Sequence, residues 1–229
     1  MKNECSECPV LRSALFSSLP ANQVAHLLCV FRPAHYLKTQ VVYSEGGPAH
    51  QVFALRSGLI KLIKSLENGK ERIVRIIFPG EMFGLEVLTE SSYTLSAINL
   101  EDSEICAAAP DELSDVLRRN PEIALGMVRF LVGEVSRARR EVAEMSFKDA
   151  RRKVATFLLS MAPRSNGTHA RAASLRLPFS RQEISEILGL SPETISRVFG
   201  LLRKERFIEA SGRRLTIRDR VGLEKAGLR

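Results

Sequence analysis

The stretch that most restricts the fold is SRQEISEILGLSPETISRVFGLLRKE, residues 180–205. Ser180 and Glu183 stand at capping-box spacing, where each side chain can satisfy the other residue's free helix-end amide. Ile184, Ile187 and Leu188 follow as an apolar face, and Gly189 then permits a tight turn. Ser191 is placed to cap a second helix that begins at Pro192, whose fixed φ and missing N–H suit that position. Ile195, Val198 and Leu202 turn this helix back onto the first. Two short capped helices joined in this way make a helix-turn-helix. Upstream, LRLPF reads as a strand; downstream, FIEASGRRLTIRD reads as a two-stranded wing whose tip spans Ser211 to Arg214.

The polar face of the second helix carries Glu193, Thr194, Ser196 and Arg197 near its N-terminal end, the end that enters a major groove. Arg can pair bidentately with guanine, Glu can accept from a cytosine amino group, and Ser can meet either kind of base edge. Glu193, Ser196 and Arg197 are therefore the expected base readers. Arg213 and Arg214 at the wing tip, with Arg181, Ser191, Thr194 and Arg203, are expected to meet phosphates, contacts that position without specifying. The plain alternative is that Arg197 and Glu193 pair with each other on a solvated helix.

Charge supports the polyanion reading. Residues 148–229 hold 18 Lys and Arg against 8 Asp and Glu, whereas residues 1–147 hold 16 against 18. The net of +8 thus sits wholly in the C-terminal part, as expected when one domain meets nucleic acid and the other has a different task. An ordinary basic surface is the competing explanation.

Before Pro110 the pattern is short apolar runs separated by turn residues, including QVFALRSG, LIKLIKSL and RIVRIIF, at a spacing that argues for a sandwich, barrel or roll. Asn68–Gly69 between two of these runs predicts a tight primed hairpin turn with positive φ at both residues. From Pro121 the period changes: Ala124, Val128, Leu131, Val135, Ala138, Val142 and Met145 recur at alternating steps of four and three, an a/d seam. Arg129, Arg137, Arg139, Arg140, Glu141 and Glu144 fall on the opposite face. So narrow a stripe suits a copy of the same helix better than a broad domain core, although an intramolecular partner would also use it. Ala150 to Met161 reads as a further helix, and PRSNGTHARAAS as an exposed connection.

In VFALRSGLIKL, the FPGEMFG turn, the long helix and LGLSPETISRVFGLL, in that order, the chain resembles the cyclic-AMP receptor and fumarate–nitrate-reduction (Crp/Fnr) regulators over residues 20–225. The resemblance implies an α+β fold: a cyclic-nucleotide-binding-type β-roll or jelly-roll, a dimerisation helix and a winged helix-turn-helix. The boundaries expected are 1–19 for a Cys-containing segment, 20–119 for the sensor roll, 120–147 for the dimer helix, with Val128, Leu131, Val135, Ala138, Val142 and Met145 in its seam, and 148–229 for the DNA-binding domain. It further implies a homodimer on palindromic double-stranded DNA that contacts RNA polymerase. ETISR is similar to the recognition helix of the fumarate–nitrate-reduction branch, in which the residues matching Glu193, Ser196 and Arg197 read a TTGA-type half-site. The expected site is TTGAT-N4-ATCAA.

Two effectors follow from the same resemblance. Members that bind cyclic AMP hold its phosphate with an Arg–Ser pair and its ribose with a Glu just after a Gly. Here Tyr93–Thr94 takes the place of the pair, and Leu85 separates Gly84 from Glu86, so cyclic AMP is not expected. The fumarate–nitrate-reduction branch instead ligates an iron–sulfur cluster with N-terminal cysteines and one strand cysteine. The four cysteines here, Cys5, Cys8, Cys29 and Cys106, are the candidate ligands of a 4Fe-4S cluster. Cys29 departs from the pattern, because VLRSALFSS has no cysteine where the branch has its next ligand. Around a helix Cys29 lies roughly 140° from Val24, off the stripe of Val24, Leu27, Leu28 and Phe31. Ala138 stands where oxygen-sensing relatives carry an acidic seam residue, which implies a dimer that persists without the cluster.

The alternative is a cofactor-independent regulator tuned by oxidation of its thiols. An enzyme is not expected, since His26, His35, His50 and His169 are scattered and no nucleophile–base pair stands at motif spacing. No run approaches the roughly 18 apolar residues of a membrane span, and MKNECSECPV is unlike a signal peptide, so the cytoplasm is the expected compartment and no membrane partner is foreseen.

Overall fold

The computed structural model describes residues 9–12, 19, 21–69, 71–147, 149–162 and 173–228. They form two compact units that divide between Arg139 and Arg140.

In the first unit a 3-10 turn at Pro9–Arg12 and helix α1 (Ala21–Leu28) precede β1 (Arg32–Tyr36), β2 (Val41–Tyr43), β3 (Val52–Ser57), β4 (Ile60–Ser65), β5 (Glu71–Ile77), β6 (Met82–Phe83), β7 (Ser96–Asn99) and β8 (Ser103–Ala108). Helices α2 (Pro110–Arg119) and α3 (Pro121–Phe147) follow, α3 running past the division at Arg139. The strands make two antiparallel four-stranded sheets, ordered β1-β8-β3-β6 and β2-β7-β4-β5. β3 shows how they stack. Its alternate residues Phe53 and Leu55 enter a core with Tyr43, Ile60, Ile77 and Ile105, whereas Val52 and Ala54 face a second core with Leu27, Leu113 and α3. A strand buried on both faces reads as a continuous apolar run, which is why VFAL lacks polar alternation.

The β4–β5 hairpin forms where Asn68–Gly69 predicts it, but its turn differs. Ser65 pairs with Glu71, so five residues connect the strands, and Gly69 N–H donates to Leu66 C=O. Gly69 has φ of 74°, while Asn68 is not among the residues at positive φ. A longer loop needs left-handed backbone only where it rejoins the strand, and glycine supplies that alone.

α3 has two working faces. Ile123, Met127 and Phe130 are buried against the second core, a stripe the a/d reading missed. Val128, Leu131 and Val135 are 54%, 37% and 50% exposed, and Ala138 is exposed with them. The side chains of Val142 and Met145 lie outside the described residues.

The second unit holds α4 (Ala150–Met161), β9 (Ala173–Arg176), α5 (Arg181–Leu188), α6 (Pro192–Lys204), β10 (Ile208–Ser211), β11 (Arg214–Ile217) and α7 (Arg220–Leu228). Its sheet is ordered β10-β11-β9. The LRLPF strand stops at Arg176: Leu177 N–H still donates to Arg213 C=O, but Pro178 has no N–H to continue the ladder. Leu177 and Phe179 instead enter the core with Leu158, Ile184, Ile195 and Leu202. No helix among the described residues is long and apolar enough to cross a membrane.

Candidate nucleic-acid interface

The turn between α5 and α6 is built as its residues dictate. Ser180 Oγ accepts from Glu183 N–H at 3.1 Å, and the Glu183 carboxylate accepts from Ser180 N–H at 2.7 Å, closing the capping box. Gly189 ends α5 at φ 61°, ψ 42°, a left-handed conformation costly for other residues. Ser191 Oγ accepts from Thr194 N–H and also bonds the Thr194 hydroxyl at 3.0 Å. Ile195, Val198, Phe199 and Leu202 are buried, fixing the rotation of α6.

That rotation leaves Glu193, Ser196 and Arg197 exposed on the first two turns of α6. No ion pair joins Glu193 to Arg197 among the described residues, contrary to the plain alternative. The Glu193 carboxyl is held below its ordinary range by its own backbone N–H and by the Ser191 hydroxyl, so it is an acceptor near the helix start. Arg197 is left with its fork of donors facing outward. The arrangement offers one anionic acceptor, one hydroxyl and one guanidinium on Glu193, Ser196 and Arg197, within five residues.

Around this row sit the expected phosphate partners. Arg213 and Arg214 are exposed at the wing turn, where Gly212 has φ of 57°. An open groove of about 300 Å³ lies between Arg203 on α6 and Glu209, Ser211, Arg214 and Thr216 of the wing. Arg181 differs from its neighbours: its guanidinium lies 3.4 Å from the centre of the Phe199 ring, and burial, followed by the charge of Arg203, lowers its pKa. Stacking fixes Arg181 in place beside a second cation, an arrangement an anion would relieve. Neither the stack nor the part of Glu209 in the groove was visible in the sequence, because each joins residues of separate elements.

Residues 152–226 match the Crp-like helix-turn-helix domain, and residues 33–120 match the cyclic nucleotide-binding domain. The chain belongs to the Crp/Fnr family, in its Fnr-like branch. It is therefore a DNA-binding transcription regulator of the Crp/Fnr type rather than an enzyme. The transcriptional activator protein anr of Pseudomonas aeruginosa is 29% identical over 220 residues, covering 96% of this chain and 90% of that protein. The nitrogen fixation regulation protein FixK of Bradyrhizobium diazoefficiens is 28% identical over 200 residues, 87% of this chain and 84% of that one. The solved structure of FixK2 from Bradyrhizobium japonicum aligns at a TM-score of 0.73 with 29% identity, over 86% of this chain and 97% of that chain.

Within this Crp/Fnr chain the roll interior carries the cue on effectors. Tyr93 is buried, its ring 3.8 Å from that of Tyr43, and Phe53 and Phe83 extend the stack, 5.1 Å apart. The Tyr93 hydroxyl donates to Gln51 C=O at 2.7 Å and accepts from Gln51 N–H at 3.1 Å. Burial, reinforced by the Glu86 carboxylate, pushes both phenols up in pKa. The Tyr93 phenol is thereby locked into an aromatic stack inside the roll.

Of the candidate cluster ligands, Cys5 and Cys8 lie outside the described residues. Cys29 stands just past the end of α1 rather than within it, is exposed, and donates its thiol hydrogen to His26 C=O at 2.9 Å. It is off the apolar stripe, as its angular position requires. Cys106 is half-buried on β8 and packs on the core that also receives Leu28 and Val30, the neighbours flanking Cys29. Cys106 thus faces the α1 side of the roll, whereas the Cys29 thiol is exposed beside the end of α1. Among the described residues no three His, Cys, Asp or Glu side chains gather as a metal site.

Proposed function

We propose that the chain acts as a homodimer that reads a palindromic site close to TTGAT-N4-ATCAA and, like the relatives it resembles, activates transcription through contact with RNA polymerase in the cytoplasm. The observation that carries this reading is the exposed row Glu193, Ser196 and Arg197 on a helix whose opposite side is fixed by Ile195, Val198 and Leu202. Arg197 would take a guanine edge bidentately, Glu193 a cytosine amino group and Ser196 a neighbouring base. Arg181, Ser191, Thr194, Arg203, Arg213 and Arg214 would hold the phosphates that set register. The exposed row Val128, Leu131, Val135 and Ala138, continued by Val142 and Met145, would pair two chains and so space two recognition helices one helical turn of DNA apart. Functionally the chain divides at 1–19, 20–119, 120–147 and 148–229.

The effector we propose is a 4Fe-4S cluster held by Cys5, Cys8, Cys29 and Cys106, whose loss would report oxygen, nitric oxide or redox state. The packing of Cys106 on the core that also receives Leu28 and Val30, the residues either side of Cys29, supports it. The exposure of Cys29 favours a second reading, in which the thiols tune activity by oxidation without metal.

A titration at moderate salt tests the DNA reading: scrambling both half-sites should weaken binding by orders of magnitude, and equal affinity would overturn it. Iron and acid-labile sulfide per chain, measured on anaerobically purified protein, separate the effectors. About four of each, lost in Cys29→Ser or Cys106→Ser, supports the cluster. Iron-free protein that still binds its site specifically leaves the thiol reading.

A further inference from the structure

The roll-facing stripe of α3 does not stop at Phe130. Ile123, Met127, Phe130, Glu134 and Arg137 recur at steps of four, three, four and three, so the apolar stripe continues as an ionic one. Glu134 and Arg137 meet Arg75 on β5 and Glu81 in the PGE turn. Arg75 donates to Glu134 at 2.7 Å and to Glu81 at 3.2 Å; Arg137 donates to Glu81 at 2.6 Å and also to Glu134. Each arginine bridges both carboxylates, closing a neutral square. Glu81 is tied further by accepting from Phe78 N–H at 2.9 Å. The Glu134 and Glu81 side chains are only 16% and 21% exposed, so the square is not an ordinary surface pair.

The chain around Glu81 gives the square a role. Three consecutive residues enter three different assemblies: Glu81 the ionic square on α3, Met82 the core shared by α1 and α3, and Phe83 the aromatic stack between the sheets. The PGE turn is thus the place where the α1 side, the roll interior and the dimer helix meet. The square also fixes which way α3 faces. With Ile123, Met127, Phe130, Glu134 and Arg137 held against the roll, Val128, Leu131 and Val135 point outward.

We infer that the Arg75–Glu81–Glu134–Arg137 square is a positioning latch: it sets the rotation of α3 on the roll, and hence the geometry of the seam, and couples both to the PGE turn. The inference rests on the reading that two chains pair through α3 to bind a palindrome. Removing the square should leave pairing intact, because the seam residues are different ones, but should loosen the angle at which two chains present their recognition helices. A change in the packing around Met82 or Phe83 would reach the seam by the same route.

The test uses full-length Glu134→Gln/Arg137→Gln, which removes three of the four ion pairs without changing net charge and leaves only Arg75–Glu81, and Glu81→Gln, which breaks the square from the roll side. Thermal melts followed by circular dichroism establish folding, and sedimentation gives the oligomeric state. Affinity is then measured for TTGAT and ATCAA half-sites separated by three, four or five base pairs. Wild type should favour four by a wide margin. Both variants should remain dimeric and lose that preference by about tenfold, and combining them should add little, as for residues acting as one unit. A dimeric variant with the wild-type spacing preference overturns the latch, as does a folded variant that becomes monomeric, since the square would then hold the seam itself. Wild type that ignores palindromes at every spacing overturns the underlying DNA reading, and this is seen before any substitution is made.

Discussion

Ala138→Asp should convert the proposed dimer into monomer at concentrations where the wild type stays paired. Ala138 is exposed on α3 and continues the row of Val128, Leu131 and Val135. If two helices pair along that row, residue 138 of each chain faces its copy. Two carboxylates about 7 Å apart at an effective dielectric of about 20 repel by about 2 kcal/mol. At 1.4 kcal/mol per decade this weakens pairing by roughly thirtyfold, and burial of the charges adds to the loss. Salt should restore little, because the charges would lie within the ~10 Å screening length at 0.1 M. Ala138→Asn, similar in size but uncharged, separates repulsion from simple loss of fit. Sedimentation velocity over a micromolar dilution series gives the constants. Wild type should sediment as a dimer with or without iron, Ala138→Asn nearly so, and Ala138→Asp as a monomer. An Ala138→Asp protein that pairs as tightly as wild type would refute the seam.

Arg197→Ala should weaken binding to the palindrome by about 1–3 kcal/mol per half-site and relax the preference at the base pair it reads, as seen by titrating single-base variants; a uniform loss across all sequences would make Arg197 a phosphate contact instead. Ser180→Ala removes one half of the capping box and should destabilise the second unit by about 1 kcal/mol in urea denaturation, with an unchanged midpoint speaking against the cap. Tyr43 and Tyr93 have folded pKa values raised above their unfolded ones. Their contribution to stability is therefore complete below about pH 10 and falls as pH rises toward the folded values. Phenolate absorbance should show both staying protonated past pH 10 until the roll unfolds, and early ionisation of all three tyrosines in folded protein would contradict the buried stack.

The helix-turn-helix was legible because its signals are local. Ser180, Glu183, Gly189, Ser191 and Pro192 each act on a backbone group within a few residues, so spacing alone specifies the outcome. The row Val128, Leu131, Val135 and Ala138, exposed on α3, could be picked out from its four–three spacing for the same reason. The roll-facing stripe of α3 was not legible, because two four–three patterns interleave along one helix, and the second changes from apolar to charged at Glu134. Arg137, placed from the sequence on the face opposite the seam, is bound to Glu81, a residue 56 positions away. The aromatic stack likewise depends on β2, β3, β6 and Tyr93 converging, information held in sheet topology rather than in any segment. Asn68 shows the opposite limit: a strong local turn signal marked the hairpin correctly, yet pairing of Ser65 with Glu71 decided the loop length and with it the turn.

Selection from a pool of random duplexes tests the central claim most directly. The purified protein should enrich a two-fold symmetric motif with TTGA-type half-sites, and Arg197→Ala should blur one base pair in each half at symmetric positions. Recovery of an asymmetric motif, or of sequences no different from the starting pool, would contradict a homodimer that reads DNA with Glu193, Ser196 and Arg197.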